Sequence, residues 1–362
     1  MKHFICLSGV IFGFNISFTQ EINISKLGLK SPAVNNCTSV KDQAMSSTCW
    51  SFSSNSFLES EIMRTKKEKV DLSEMFVARY SYIHKIETYL KNKGTNFFTP
   101  GGQFHDVVWV MKHYGMVPEQ AYTGKPKGES YHNHAELDTL IKHYTESLLQ
   151  QKQNVLRKEN YSWLDSVFNH YLGIVPVKFM YKGINYTAQS FLKNYLSINP
   201  EDFIEITSYT HHPFYTSFVL EDKYNWTGDA YYNVPVNEFM DITNYALKNG
   251  YTIGWDGDVD ETGFQFENSL AFLPAKINDL QKERQQTFYD KTTDIDHMMH
   301  VVAVTKDIDG NNWYYVKNSW GTYNNAQKGF LFMSSDYFAV KTLAIIVNKK
   351  ALPAALRKKM RL

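Results

Sequence analysis

Lys41-Asp42-Gln43-Ala44-Met45-Ser46-Ser47-Thr48-Cys49-Trp50-Ser51-Phe52-Ser53 gathers an amide side chain, a cysteine, an aromatic residue and a run of small residues into one short stretch. From Ser51 to Lys67 the apolar residues recur at helical spacing, with Trp50, Phe57, Leu58 and Ile62 near one face. Cys49 therefore falls at or just before a helix N-terminus. Unpaired backbone N–H groups and the positive end of the helix dipole favour an anion there. A thiol so placed has its pKa lowered, and the thiolate is the nucleophilic form. Gln43, upstream in the loop, is close enough to aim its amide at the same spot. Taken alone, Cys49 reads equally well as a small buried hydrophobe.

Outward from this box the chain holds 362 residues, with 38 basic against 37 acidic residues and a net charge of +1. This balance calls for neither nucleic acid nor an anionic membrane as a partner. With 24 Tyr and 24 Phe, the chain can bury a sizeable core. Three cysteines are too few for a disulfide framework and show no zinc-site spacing. Lys2 and His3 followed by the mostly apolar Phe4–Phe18 read as a secretory signal peptide over 1–19, with cleavage after Thr19. The run is too short and too interrupted by Asn15 for a membrane span. Export to the periplasm or the exterior is the expected location. Cys6 leaves with the signal, and Cys37 and Cys49 are both expected to be free, since pairing would remove the thiol.

Asp71 or Ser73 caps a second helix running to about Asn92. The loop Gly94–Gly102 contains the adjacent pair Gly101 and Gly102, where backbone can approach an extended peptide closely or simply turn. A helix follows from Gln103 to Tyr114, stopped by Gly115. Helical patterns span Ala135–Gln150, Tyr161–Leu172, Thr187–Leu196 and Val234–Asn249, whereas Phe203–Phe218 is strand-like. His211 and His212, adjacent in a strand, point to opposite faces, so they are expected not to chelate together and are read as structural or surface residues. Asn160-Tyr161-Ser162 and Asn225-Trp226-Thr227 fit the glycosylation pattern, which matters only in a eukaryotic secretory pathway.

The C-terminal third is strand-rich. Gly250–Val259 reads as a strand, and Lys276–Asp294 as helix or loop. Asp296–Thr305 and Trp313–Gly321 flank the turn signal Asp307–Asn312 and make a hairpin, and Gly329–Met333 adds another strand. The hairpin sets His297 roughly opposite Asn318. An Asn amide oxygen beside an imidazole N–H fixes the ring's tautomer and leaves the other nitrogen to face a nucleophile. Cys49, His297 and Asn318 thus form a nucleophile, base and orienter, with Cys49 and His297 expected as a thiolate–imidazolium pair. Gln43 and the Cys49 N–H supply the oxyanion donors. His300 is the rival base, but in a strand it faces away from His297. The two histidines lack the further carboxylate or thiolate ligands of a metal site. No metal or cofactor is expected.

Gln43-x5-Cys49-Trp50-Ser51-Phe52-Ser53, Pro100-Gly101-Gly102 with its helix, Asp296-His297, and Lys317-Asn318-Ser319-Trp320-Gly321 together resemble the boxes of the papain-like cysteine peptidases. The resemblance implies an α+β two-domain fold over 20–345: a helical left domain, a β-barrel-like right domain, and a large helical insertion at about 125–250. It implies peptide substrates bound at Gly101 and Gly102, and Trp320 as a shield over the His–Asn pair. The long middle segment, and Ser46 where many secreted members carry a disulfide cysteine, resemble the bleomycin hydrolase and aminopeptidase C branch. That branch implies an aminopeptidase in a homohexamer, with the C-terminal arm (here 346–362) entering the cleft so that its carboxylate binds the substrate amine. The basic Arg357-Lys358-Lys359-Met360-Arg361 and the signal peptide depart from the branch. A papain-like endopeptidase, an acyl transferase using the same groups and a non-hydrolytic peptide-binding protein stay open.

Overall fold

The computed structural model describes residues 22–34, 36–126 and 128–362. The signal-peptide reading and Cys6 lie outside them. The elements in chain order are α1 (Ile24–Leu27), α2 (Cys49–Lys66), α3 (Glu74–Lys91), α4 (Phe104–Tyr114), α5 (Ala135–Gln150) and α6 (Lys158–Leu172). Then come β1 (Phe179–Tyr181), β2 (Ile184–Tyr186), α7 (Ala188–Ser190) continued as a π-turn segment Phe191–Leu196, β3 (Phe203–Thr207), β4 (Ser217–Val219) and β5 (Ala230–Asn233). The remainder is α8 (Val236–Lys248), β6 (Ile253–Gly257), β7 (Phe264–Gln265), β8 (Leu270–Ala271), α9 (Leu280–Asp290), β9 (His297–Lys306), β10 (Asn312–Lys317), β11 (Phe330–Ser334), α10 (Ser335–Lys341), β12 (Thr342–Asn348) and α11 (Ala354–Met360).

α2 is the axle. Every residue from Trp50 to Ile62 is buried, because the helix has α3 and α4 on one side and β6 and β9 on the other. A helix enclosed all round meets a neighbour on every face. Short serines let it approach both layers: Ser53 Oγ donates to the Met299 carbonyl of β9 (2.6 Å) and Ser51 Oγ to the Glu74 carbonyl of α3 (2.8 Å). Ser73, one of the two expected caps, is the residue whose Oγ accepts from the Phe76 N–H at the start of α3 (3.1 Å). Gly115 ends α4 at φ 84°, where an added Cβ would lie 2.4 Å from the Ala188 backbone.

β3 to β12 form one mixed ten-stranded sheet in the order β4-β5-β3-β12-β6-β9-β10-β11-β8-β7. No pairing among the described residues joins its two ends. The segment expected as an insertion divides between the layers. α5 and α6 pack on α3 and extend the helical core, whereas β3, β5 and α8 join the sheet. No helix among the described residues is long and apolar enough to cross a membrane.

One segment departs from the sequence reading. Phe203–Phe218 is not one strand: residues 210–212 turn between β3 and β4. The buried Asn233 causes this, donating from Nδ2 to the carbonyls of Tyr209 (2.8 Å) and His212 (2.9 Å) and accepting from the Tyr209 N–H (2.9 Å). The C-terminal arm folds back. Leu356 and Met360 are buried in the core under α8, Leu362 packs against it, and Lys359 Nζ lies 2.8 Å from Glu238 Oε1. The sequence leaves open whether Leu362 enters the cleft; the arm does not line it, because its apolar residues and Lys359 find partners on its own side of the sheet.

Candidate active site

Cys49 is the first residue of α2, following Thr48. Its N–H, the first of the helix, has no intrahelical acceptor. The backbone N–H groups of Met298 and Trp50 favour its thiolate, which sets the sulfur against the start of β9, beside His297. Trp50 Nε1 donates to the Pro100 carbonyl (3.1 Å) and pins the helix start to the glycine loop. Gly101 and Gly102 line the same cleft, of about 390 Å³. Both are glycine for a packing reason: a Cβ on Gly102 would lie 2.8 Å from the Trp50 ring, and one on Gly101 2.7 Å from Tyr224.

His297 Nε2 is 2.7 Å from Asn318 Oδ1, which leaves Nδ1 for the cysteine side. The hairpin delivers this contact with a different register from the expected one. β9 and β10 pair Lys317 with His300 after an irregularity at Tyr315/Val316, so Asn318 is not opposite His297. It follows the last paired residue of β10 and reaches across. Trp320 lies over the imidazole, with ring centroids 4.5 Å apart, and is itself held edge-on by Phe264 and Phe266. Gln43 accepts from Ser319 Oγ through its Oε1 (2.7 Å), and its N–H donates to the Ser319 carbonyl (2.8 Å). That fixes the amide with its NH₂ turned away from Ser319, and Gln43 lines the cleft with Cys49 and His297.

The electrostatics differ from the expected ion pair. Burial, with added repulsion from Asp256 and Asp296, pushes the Cys49 thiol up to about 12, against the lowering effect of the two backbone donors. Burial likewise holds the His297 imidazole down to about 4, although Asn318 favours its charged form. Burial thus biases both groups toward their neutral forms. The helix terminus acts as expected in direction but is outweighed by desolvation. Asp296 lines the cleft, and burial raises its carboxyl to about 7.

His300 does not compete. It is fully buried on the far side of β9, with Nδ1 2.8 Å from Ser56 Oγ. Cys37 and Cys49 are both free. Ser46 is buried and hydrogen-bonds Thr48 (2.5 Å), so it serves the cysteine loop without a bridge. Sequence reasoning missed Tyr224. Tyr224 arrives from the middle segment to form a cleft wall, and no local pattern marks it.

The sequence profile of the Peptidase C1-like family matches residues 94–361, a span that includes Gly101, Gly102, His297, Asn318 and Trp320. The chain belongs to the Peptidase C1-like family. Its relatives include aminopeptidase C of Streptococcus thermophilus, 25% identical over 371 residues that cover 87% of this chain and 81% of that protein. Bleomycin hydrolase of Gallus gallus is 21% identical over 375 residues, covering 87% and 81%. The solved structure of PepW from Lactobacillus rhamnosis superposes with a TM-score of 0.70 at 20% identity, covering 91% of this chain and 85% of that one, which supports the fold. This Peptidase C1-like chain is thus a papain-like cysteine peptidase of the aminopeptidase C and bleomycin hydrolase branch.

Proposed function

We propose that the chain is a cysteine aminopeptidase in which Cys49 is the nucleophile, His297 the base and acid, Asn318 its orienter and Gln43 the oxyanion donor. The observation that carries this is the His297–Asn318 contact at 2.7 Å under Trp320, in one cleft with Cys49 and Gln43. As Cys49 Sγ attacks the peptide carbonyl carbon, its proton passes to His297 Nδ1. The carbonyl electrons move to oxygen, which takes hydrogen bonds from Gln43 Nε2 and the Cys49 N–H. His297 then gives its proton to the departing amine, leaving a thioester. A water molecule, deprotonated by His297, attacks the thioester and releases the acid and the thiol.

Two features support removal of N-terminal residues. Relatives of this chain are named as aminopeptidases. The cleft also carries an acid. Asp296 lines it beside His297, and burial raises its carboxyl to about 7. A protonated substrate amine beside it favours its charged form. This makes Asp296 the counter-charge offered to the substrate amine. The test compares a free and an N-acetylated peptide amide. Cleavage of the free peptide only, abolished by Cys49→Ala, is expected; equal rates on both peptides would sink the aminopeptidase reading. The leader pattern at 1–19 supports export, and a mature N-terminus at Gln20 in exported protein would bear this out, whereas an intact leader would refute it.

A further inference from the structure

The turn between β3 and β4 places His211, His212 and Glu221 together. His211 Nε2 lies 3.1 Å from Glu221 Oε2 and His212 Nε2 2.6 Å from Glu221 Oε1, and all the possible ligand atoms fall within 4.8 Å of one another. We propose that these three side chains form a binding site for a divalent transition metal of the zinc class, separate from the peptidase cleft.

The ligand set is the first argument. Two imidazoles and a carboxylate suit zinc, nickel or copper and discriminate against magnesium and calcium, which take oxygen donors. Tetrahedral zinc with bonds of about 2.0–2.1 Å separates its ligand atoms by about 3.3 Å. Opening the two histidine–glutamate contacts by a few tenths of an ångström to under 1 Å admits an ion. The ring protons that now face Glu221 move through solvent to Nδ1, so the ligating nitrogens present lone pairs and the net proton count is unchanged.

The second argument is that the site is built. Asn233 clamps the backbone carbonyls of Tyr209 and His212, as described above, which holds both histidines on a fixed turn. His212 stacks on Phe218 at 4.0 Å, and His211 stacks on Phe288 of α9 at 5.5 Å. Gln285 Oε1 accepts from the Thr210 N–H (2.6 Å), and the Gln285 amide faces His211 Nδ1 with Nε2 at 3.1 Å and Oε1 at 3.4 Å. In the metal-free tautomer Gln285 Nε2 is the donor to Nδ1; once Nδ1 carries the proton, Oε1 is the acceptor within reach, the usual outer support of a metal-binding histidine. Entry is open: the side chains of His211, His212 and Glu221 are 17%, 31% and 55% exposed, which leaves room for a water ligand.

The site also has a connection to the cleft along the chain. Glu221 is followed within three residues by Tyr224, whose ring covers Gly101. A metal joining the 210–212 turn to Glu221 therefore anchors the segment that forms one cleft wall.

The test is a calorimetric titration of full-length Cys49→Ser protein with Zn²⁺, the serine removing the cleft thiol as a rival ligand. One saturable equivalent is expected, with no heat from Mg²⁺. Glu221→Gln and His212→Gln, each in that background, should abolish this equivalent, and Gln285→Ala should weaken it by about 10- to 100-fold. Far-UV circular dichroism of each metal-free variant checks that the fold persists, and the two exposed ligand positions give independent readings. No saturable binding by the Cys49→Ser protein, or binding that persists in both ligand variants, overturns the proposal. Because the readout is binding, its failure is distinguishable from failure of the peptidase reading.

Discussion

His297 and His300 stand three residues apart on β9, both buried and both neutral, yet they face different worlds. His297 looks into the cleft, with an amide partner at one nitrogen and an indole over its face. His300 looks into the body of the protein, toward Ser56. There Lys317 Nζ donates to Ser56 Oγ (2.7 Å) and Thr38 Oγ1 (3.0 Å), Thr38 donates to Glu59 (2.5 Å), and Lys41 meets Glu74 at 2.6 Å. A strand's two-residue alternation separates the two faces, so one β9 can carry a reactive histidine and a structural one without cross-talk. The comparison shows that reactivity here is assigned by exposure to a cleft and by the identity of the neighbours, since burial alone treats the two rings alike.

The sharpest way to break this contrast is His297→Gln. Loss of general acid and base should lower kcat by about 1,000- to 10,000-fold in steady-state peptide hydrolysis, with the thermal midpoint nearly unchanged. On the other face, Lys317→Met leaves the buried Glu59 without one of its cations. Removing one partner of a buried charge network costs about 3–5 kcal/mol. Urea denaturation should register that loss, while kcat of the folded fraction stays within about twofold. Parallel losses of activity and stability in both variants would erase the division of labour. Gln43→Ala should lower kcat by about 100- to 1,000-fold with little change in KM, the signature of a lost oxyanion donor.

The smallest effect is a titration. The His297 ring is held down to about 4, so it stays neutral through neutral pH and protonates only on strong acidification. Its folded-state pKa lies below the ordinary 6.5, so its contribution to stability is complete above about pH 6.5 and fades as pH falls toward 4. Imidazole NMR resonances of Cys49→Ser protein should show His297 unprotonated at pH 6. A midpoint near 6.5 would mean that the cleft is wetter than the structure has it.

Much of the site is legible in the sequence because it lies at element boundaries that residues announce. A cysteine before an amphipathic run, a glycine pair before another helix, and two β-rich runs around an Asp-Gly turn each carry their own signal. The α5 helix matches its sequence-predicted span at both ends. What escapes is set by contacts made at long range. The irregularity at Tyr315/Val316 moves Asn318 out of register with His297, and only the packing of β10 against both neighbours determines it. His211 and His212 look like strand residues until Asn233, more than twenty positions later, captures their turn. The resting charge of Cys49 depends on Asp256 and Asp296, both far from it in sequence.

The place of β12 has a consequence for how the protein comes into being. This strand, Thr342–Asn348, lies between β3 and β6 in the middle of the sheet, although it follows every other strand in sequence. On a ribosome, the β3 edge waits about 135 residues of synthesis for it and the β6 edge about 85, both open. They can be joined only when β12 emerges from the exit tunnel. The joined sheet is also the support for the wall carrying Tyr224 on one side and the histidine strand on the other. A chain released before β12 is made thus exposes two unpaired strand edges of the kind that chaperones recognise.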